Sequence, residues 1–304
     1  MISQHIPVMS MEAIEALKVR DNLDYIDVTF GGGGYSEEIL KKADCNLLSI
    51  DKDPAVKNFA EKLKVKYKKR FTFINDNFEN LESIIKKNNI TLVSGGIVAD
   101  LGVSSFQLDN AERGFSFNKE GRLDMRFDNT VGEPFSEWLE KAKKEEIIEI
   151  LYKYGDEKHA RLIADAIIEM QKSSPIRTTI QLASLIKDVY PEKKLKINPA
   201  TKSFQAFRIF INNELNEFKE SLEIAKRIIK KDGLIVVISF HSLEDGIVKD
   251  FFKPTIKSFP KDIPLNSQEI KEFKCIAKKV KASSKEITEN PRSRSAIMRV
   301  FQKI

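Results

Sequence analysis

Tyr25-Ile-Asp-Val-Thr-Phe-Gly-Gly-Gly-Gly-Tyr-Ser-Glu-Glu-Ile-Leu40 decides how the rest of this sequence is read. Tyr25 to Thr29 alternates and is rich in β-formers, which predicts a buried strand. Gly31 to Gly34 interrupts it, and Ser36 can cap a helix carried on Ile39 and Leu40. Glycines let a backbone pass close beneath a ligand, and a helix start offers N–H groups without partners. The next strand, Asn46 to Ile50, ends in Asp51, twenty residues after Gly31. A carboxylate at that place can accept hydrogen bonds from ribose hydroxyls. Taken alone, a flexible turn and an ordinary strand-end Asp would give the same pattern.

Spacing narrows the ligand. A dinucleotide site wants G-x-G-x-x-G, whose third glycine lets helix and strand pack closely under a pyrophosphate. Ser36 stands there, which argues against a nicotinamide-dependent dehydrogenase, the other activity this unit alone would allow. What remains is Asp27-x-x-x-Gly31-x-Gly33, an acid at a strand end followed by two spaced glycines. This resembles the first motif of class I S-adenosylmethionine-dependent methyltransferases. The resemblance implies a loop that wraps an amino-acid tail and a sulfonium.

With 304 residues the chain is long enough for a full α/β core and a large insertion. Hydrophobic residues make up 41% and charged ones 32%, the balance of a soluble globular protein. The formal net charge of +6 and pI of about 9.0 permit a nucleic-acid partner without requiring one. Cys45 and Cys275 lie too far apart in sequence to suggest a disulfide framework or a zinc knuckle. His5, His159 and His241 form no H-E-x-x-H, so no metal is expected. The most apolar run, Leu234 to Phe240, is too short for a bilayer, and no leader-like segment opens the chain. The expectation is a cytoplasmic protein with no membrane partner.

Along the chain, a short helix from Ser10 to Lys18 precedes the opening unit, and Asp53-Pro54 starts the helix after it. Phe71 to Ile74 is a third strand, followed by Phe78, which either packs on an adenine or belongs to the core. Gly96 to Asp100 is the fourth. Asp51, Asp76 and Asp100 thus lie at or just past three strand ends, the edge where open parallel sheets hold ligands. Between Asp109 and Lys202 an arginine-bearing loop leads into helical patterns and no strand. A long helix is expected from Ser203 to Lys231, then a strand from Leu234 to Ser239. A helix from Leu243 to Phe252 follows, then a basic, loop-rich segment and a last strand from Ala296 to Phe301. The predicted organisation is a Rossmann-like sheet domain over 1–108 and 203–304, interrupted by an all-helical domain over 109–202.

Longer strings are more specific. They are His5-x-Pro7-Val8, Asp100-Leu-Gly-Val-Ser-Ser105, Gln107-Leu-Asp109, Glu112-Arg-Gly-Phe-Ser-Phe117 and Leu123-Asp-Met-Arg126. Pro199-Ala-Thr-Lys-Ser-Phe-Gln-Ala-Phe-Arg208, Ile238-Ser-Phe-His-Ser-Leu-Glu-Asp245 and Asn290-Pro-Arg-Ser-Arg-Ser295 complete the set. In this order, over nearly the whole chain, they resemble the MraW/RsmH family of bacterial 16S ribosomal RNA cytosine-N4 methyltransferases. The resemblance implies S-adenosylmethionine as cofactor and a cytosine in the decoding region of the small ribosomal subunit as target. It implies a class I methyltransferase sheet with an inserted substrate-recognition domain. Its cofactor site falls on Gly33, Gly34, Tyr35, Asp51, Phe78, Asp100 and Gln107. Tyr35 and Asn198 stand where the family usually has His, Arg122 where it has proline, and Phe127 where it has methionine.

An exocyclic amine must be aimed in line at the methyl it takes, and a neighbouring acceptor helps localise its lone pair. Asp100 or a neighbouring carbonyl is the candidate for this, with Ser104 and Ser105 lining the pocket and His241 as a general base, a helix cap or an RNA-phosphate contact. A base must leave its stack to be modified, and Phe106, Phe115, Phe117 and Phe240 could stack on it, although phenylalanine is more often core. Arg113, Arg122, Arg126, Lys202, Arg208, Arg292 and Arg294 are the candidate phosphate contacts. A rival reading is an assembly factor that binds ribosomal RNA without modifying it. The oligomeric state stays open.

Overall fold

The computed structural model describes residues 7–88, 90, 92–190, 198–257 and 268–304. His5 lies outside them. The chain divides into two compact units, Met1–Gly102 with Glu217–Ile304, and Val103–Asn216.

In chain order the first unit starts with α1 (Ser10–Leu17), β1 (Asp24–Asp27), α2 (Gly34–Lys42), β2 (Asn46–Asp51) and α3 (Lys57–Tyr67). It continues with β3 (Phe71–Asn75), α4 (Leu81–Lys87) and β4 (Gly96–Asp100). The second unit holds α5 (Ser105–Asp109), α6 (Phe135–Lys141), α7 (Lys144–Gly155), α8 (Ala160–Ser173), α9 (Thr179–Asp188) and α10 (Ala200–Ile211). Through α11 (Glu214–Ile228) the chain returns to β5 (Leu234–Ser239), α12 (Ser242–Phe251), β6 (Thr255–Lys257) and β7 (Gln268–Ile270). The last elements are β8 (Phe273–Lys281), α13 (Ser284–Glu289) and β9 (Ile297–Lys303).

Seven strands form one sheet in the order β3-β2-β1-β4-β5-β9-β8, the first five parallel and the last two pairings antiparallel. Alternate residues of each inner strand feed two separate cores. Tyr25, Leu47, Val98 and Val236 pack with α1, α2 and α3 on one face. Ile26, Leu48, Ile97 and Ile235 pack with α4, α11 and α12 on the other. Burial on both faces is why these strands read as continuous apolar runs. The order reverses between β1 and β4, so a crevice opens at their carboxyl ends. This is the α/β Rossmann-like sheet expected from the sequence.

The helical unit has its own core, in which Phe135, Ile147, Ile163, Leu182, Phe204 and Phe207 are wholly or almost wholly buried. α9 is started by a capping box, with Thr178 Oγ1 accepting the Gln181 N–H and Gln181 Oε1 accepting the Thr178 N–H. Two features differ from the sequence reading. The helix expected over 203–231 is two helices, because Asn213 takes a left-handed φ of 51° and Asn212 turns its side chain inward. Asn212 Oδ1 accepts the Phe127 N–H, and its Nδ2 donates to the carbonyls of Met125 and Arg208. Consequently α10 belongs to the helical core rather than to the sheet. The basic segment read as loop contains the nine-residue strand β8, an outer strand whose lysines and two register shifts hide the strand period.

Phe135 is buried between Phe207 and Trp138, with ring centroids 4.7 and 5.5 Å away. Phe135→Ala should destabilise the protein by about 3–5 kcal/mol, read as a lower urea midpoint.

Candidate active site

The carboxyl ends of β1, β2 and β4 carry Asp27, Asp51 and Asp100. Asp27 is fully buried. Its Oδ1 accepts the Thr29 N–H at 3.1 Å and its Oδ2 the Ser36 hydroxyl at 2.7 Å, with Ser36 Oγ 2.8 Å from Ser49 Oγ. Ser36, which sequence reading makes a cap, therefore ties α2 to β1 and β2. Asp51 Oδ2 accepts the Gly31 N–H at 2.7 Å, and its Oδ1 accepts that of Asp53 at 2.9 Å. The carboxylate that could face a ribose also closes the glycine loop. Burial raises both Asp27 and Asp51 to about 6, against the hydrogen bonds they accept.

Asp100 differs. Its N–H donates to Thr29 Oγ1 at 2.7 Å, but its Oδ1 is buried with no hydrogen-bond partner. Burial, then the charges of Asp27 and Glu244, hold this carboxyl well above the usual range. A buried acceptor left open at the crevice of a sheet is where a ligand that donates or carries positive charge fits.

The glycine loop is shaped by close approach. Gly33 takes a φ of +78° at the helix N-cap. A Cβ on Gly34 would sit 2.1 Å from Pro7 Cγ. Gly34 and Tyr35 open α2, so their N–H groups lie where helices leave donors unpaired. The Tyr35 side chain is turned away from that role, its hydroxyl donating to the Val8 carbonyl. A residue that replaces a family His is thus spent on fastening the N-terminal segment, and only its backbone is offered to a ligand. Phe78 is half-buried after β3 and packs on the α4 face of the sheet. Beside it Lys52 Nζ lies 2.6 Å from Glu217 Oε2.

His241 is the N-cap of α12. Glu244 donates its N–H toward His241 Nδ1 at 3.4 Å, and Glu244 Oε1 lies 3.1 Å from His241 Nε2. The imidazole caps α12 through Nδ1, while its buried Nε2, although near Glu244, makes no hydrogen bond. Behind it Asp245 is gripped by Arg299, with Nε–Oδ1 2.6 Å and Nη2–Oδ2 3.0 Å, a buried pair that the sequence reading missed. Only its position, three residues into the last strand, hinted that this arginine pointed inward.

In the helical unit, Ser104 caps α5, its Oγ accepting the Gln107 N–H at 3.3 Å while Gln107 Oε1 accepts the Ser104 N–H at 2.9 Å. Ser105 follows as the first residue of that helix. Three of the expected phosphate contacts are structural instead. Arg113 is 5% exposed and donates to the carbonyls of Arg126 and Phe127. Arg126 holds Asp124 with two bonds of 2.7 Å and also donates to the carbonyls of Val131 and Gly132. Arg208 is held bidentate by Glu214 at 2.8 and 2.9 Å. Arg113 is buried and Arg126 and Arg208 are partly so, and all three guanidinium groups find their partners inside the unit. Arg122, Lys202, Arg292 and Arg294 remain exposed. Phe115, stacked on Phe127, and Phe117, edge-on to Phe204, are packed in the unit, and Phe240 packs against the sheet. Phe106 is 37% exposed and stays a stacking candidate. Asn198, at the other family-His position, accepts the Ala200 N–H at the start of α10. Among the described residues no cluster of ligating side chains could hold a metal ion. Nor is any helix among them long and apolar enough to cross a membrane.

Residues 2–304 match the MraW methylase family. A "Ribosomal RNA small subunit methyltransferase H" of Wolbachia sp. subsp. Drosophila simulans (strain wRi) is 42% identical over 301 residues, 99% of each chain. A protein of the same name from Rickettsia felis (strain ATCC VR-1525 / URRWXCal2) is 45% identical over 312 residues, 100% of each. Among solved structures, an rRNA methylase from Streptococcus thermophilus aligns over 100% of this chain and 99% of its own. That likeness is remote, with a TM-score of 0.44 and 8% identity.

The buried Asp27 sets a pH dependence. Its carboxyl is ordinary when unfolded, near 3.8, and about 6 when folded. The folded state therefore binds the extra proton between those values, and stability drains away as pH rises through about 6. Relative to Asp27→Asn, the unliganded protein should lose about 2 kcal/mol of stability between pH 4 and pH 7.5, measured by urea titration.

Proposed function

The chain belongs to the MraW methylase family, and on that premise we propose which atom it methylates and with which groups. The substrate is small-subunit ribosomal RNA and the cofactor S-adenosylmethionine. The target in this reading is the exocyclic N4 amine of one cytosine in the decoding region of 16S ribosomal RNA. The open Oδ1 of Asp100 at the β1/β4 crevice carries the reading.

The residues present suit the cofactor. Gly33 and Gly34 leave the loop without side chains, and Gly34 and Tyr35 offer helix-start N–H groups. Asp51 retains acceptor capacity beyond its two backbone bonds, and Phe78 presents a ring after β3. Asp27, Asp51 and Asp100 stand at the three strand ends around the crevice, and a cationic ligand there would favour their charged forms. When bound, S-adenosylmethionine supplies a methyl group on a positively charged sulfur. The cytosine amine forms the new C–N bond as the C–S bond breaks, and it sheds one N–H proton. Asp100 accepts a hydrogen bond from that amine, localising a lone pair that otherwise delocalises into the ring. In its ionised form, which a cationic ligand beside it favours, Asp100 can take that proton as the bond forms. Ser104, Ser105 and Gln107, which follow Asp100 along the chain, are the further candidate residues in this reading, and His241 caps α12 after β5. Arg122, Lys202, Arg292 and Arg294 are the phosphate contacts that remain.

Incubated with methyl-labelled cofactor and small subunits lacking the modification, the protein should yield label as N4-methylcytidine on nucleoside analysis. Label in another nucleoside, or none, would overturn this reading. Asp100→Asn should lower kcat by about 10²–10³-fold, in the range for losing one group that stabilises a transition state. Asp51→Ala should instead weaken cofactor binding by about tenfold or more in calorimetry, the worth of a charged hydrogen bond.

A further inference from the structure

The outer part of the sheet brings a second group of cations to the edge that carries Asp100. Register fixes this: Asp100 pairs with Ile238, its neighbour Ser239 with Ile297, and Ile297 with Lys281. Two antiparallel pairings in succession make β8 parallel to β4 and β5, so β8 ends where they end. Three strand spacings set that end about 14 Å from β4. The connection from β8 to β9, holding α13 and the turn Pro291–Ser295, therefore stands on the cofactor edge. It is fastened there, since Glu286 Oε1 in α13 accepts the Met9 N–H at 2.6 Å, next to the Val8 carbonyl that Tyr35 holds.

The charge of this connection is one-sided. Lys279, Lys281, Lys285, Arg292 and Arg294 are exposed. Among the described residues Lys279, Lys281, Lys285 and Arg294 make no ion pair. On the same stretch Glu286 is engaged with Met9 and Glu289 is exposed. Lysines along an outer strand also discourage pairing with another chain, which accounts for Lys274 and Lys278 within β8. It does not account for Lys285 and Arg294, which lie beyond the strand. Meanwhile Arg113, Arg126 and Arg208 are occupied inside the helical unit. We propose that the β8–β9 connection is a backbone-binding rail for the RNA substrate, on which Lys281, Lys285 and Arg294 hold phosphates of the strand next to the target nucleotide. The proposal rests on an RNA substrate but not on which atom is methylated. Such contacts position a strand without reading its bases.

The test compares wild type with the triple variant Lys281→Ala, Lys285→Ala, Arg294→Ala. A charge-matched control carries Lys62→Ala, Lys69→Ala and Lys87→Ala, exposed lysines elsewhere on the sheet unit. Fluorescently labelled single-stranded RNA is titrated at several salt concentrations, and cofactor affinity and methylation of small subunits are measured alongside. The rail variant should bind RNA about tenfold or more weakly, with a log–log salt slope shallower by about 2. Its KM for subunits should rise while kcat and cofactor affinity hold. Lys281→Arg with Lys285→Arg should keep the wild-type values. Equal losses in the control, or none in the rail variant, would overturn the proposal, and so would wild-type protein that binds anionic vesicles but not RNA. RNA binding lost as expected, with label found in a nucleoside other than N4-methylcytidine, would support the rail while removing the reading of the reaction.

Discussion

The sheet unit depends on a carboxylate kept out of water. Asp27 sits at the end of β1 with no exposure, and a charged group there costs stability unless its oxygens are supplied with donors. The Ser36 hydroxyl and the Thr29 backbone supply them, and Ser36 Oγ also bonds Ser49 Oγ, which fixes the start of α2 against β1 and β2. The glycine loop lies between these fixed points, so its conformation follows from satisfying one acid. Asp51 repeats the device one strand away by holding Gly31 and Asp53. Only at Asp100 is the pattern left incomplete, and the ligand reading begins from that open oxygen.

Much of the fold was legible because its signals are local. Apolar runs bounded by glycine, proline and aspartate mark β1 to β5, and the helical insertion shows as a loss of strand pattern. Two errors arose where a local signal was overridden. Asn212 and Asn213 look like helix interior in an apolar 3.6-residue pattern, yet Phe127 and Met125, which Asn212 holds, lie more than eighty residues upstream. Lysines in β8 look like a loop because its outer side faces water and its register shifts twice.

The site was legible to a smaller degree. Acids at strand ends are readable from sequence, since topology delivers them to one edge. The fate of an arginine is not, because a guanidinium bound to phosphate and one bound to buried carbonyls have the same letter. Arg113, Arg126 and Arg208 lie in strings that mark the family, and each is used to close its own unit. A fork of five donors can satisfy several carbonyls or a whole carboxylate at once, which suits arginine to buried loops as well as to nucleic acid. His241 belongs with them, its imidazole used to start a helix.

Met9 reaches across 277 positions of sequence to Glu286. Contacts of such separation form late, since the intervening chain must first be ordered. A nascent chain that has not reached Glu286 lacks the acceptor that holds Met9, and it also lacks β9, the neighbour of β5. The cofactor edge can therefore be finished only after nearly all of the polypeptide has left the ribosome. The order of synthesis thus leaves that edge unfastened until Glu286 has emerged.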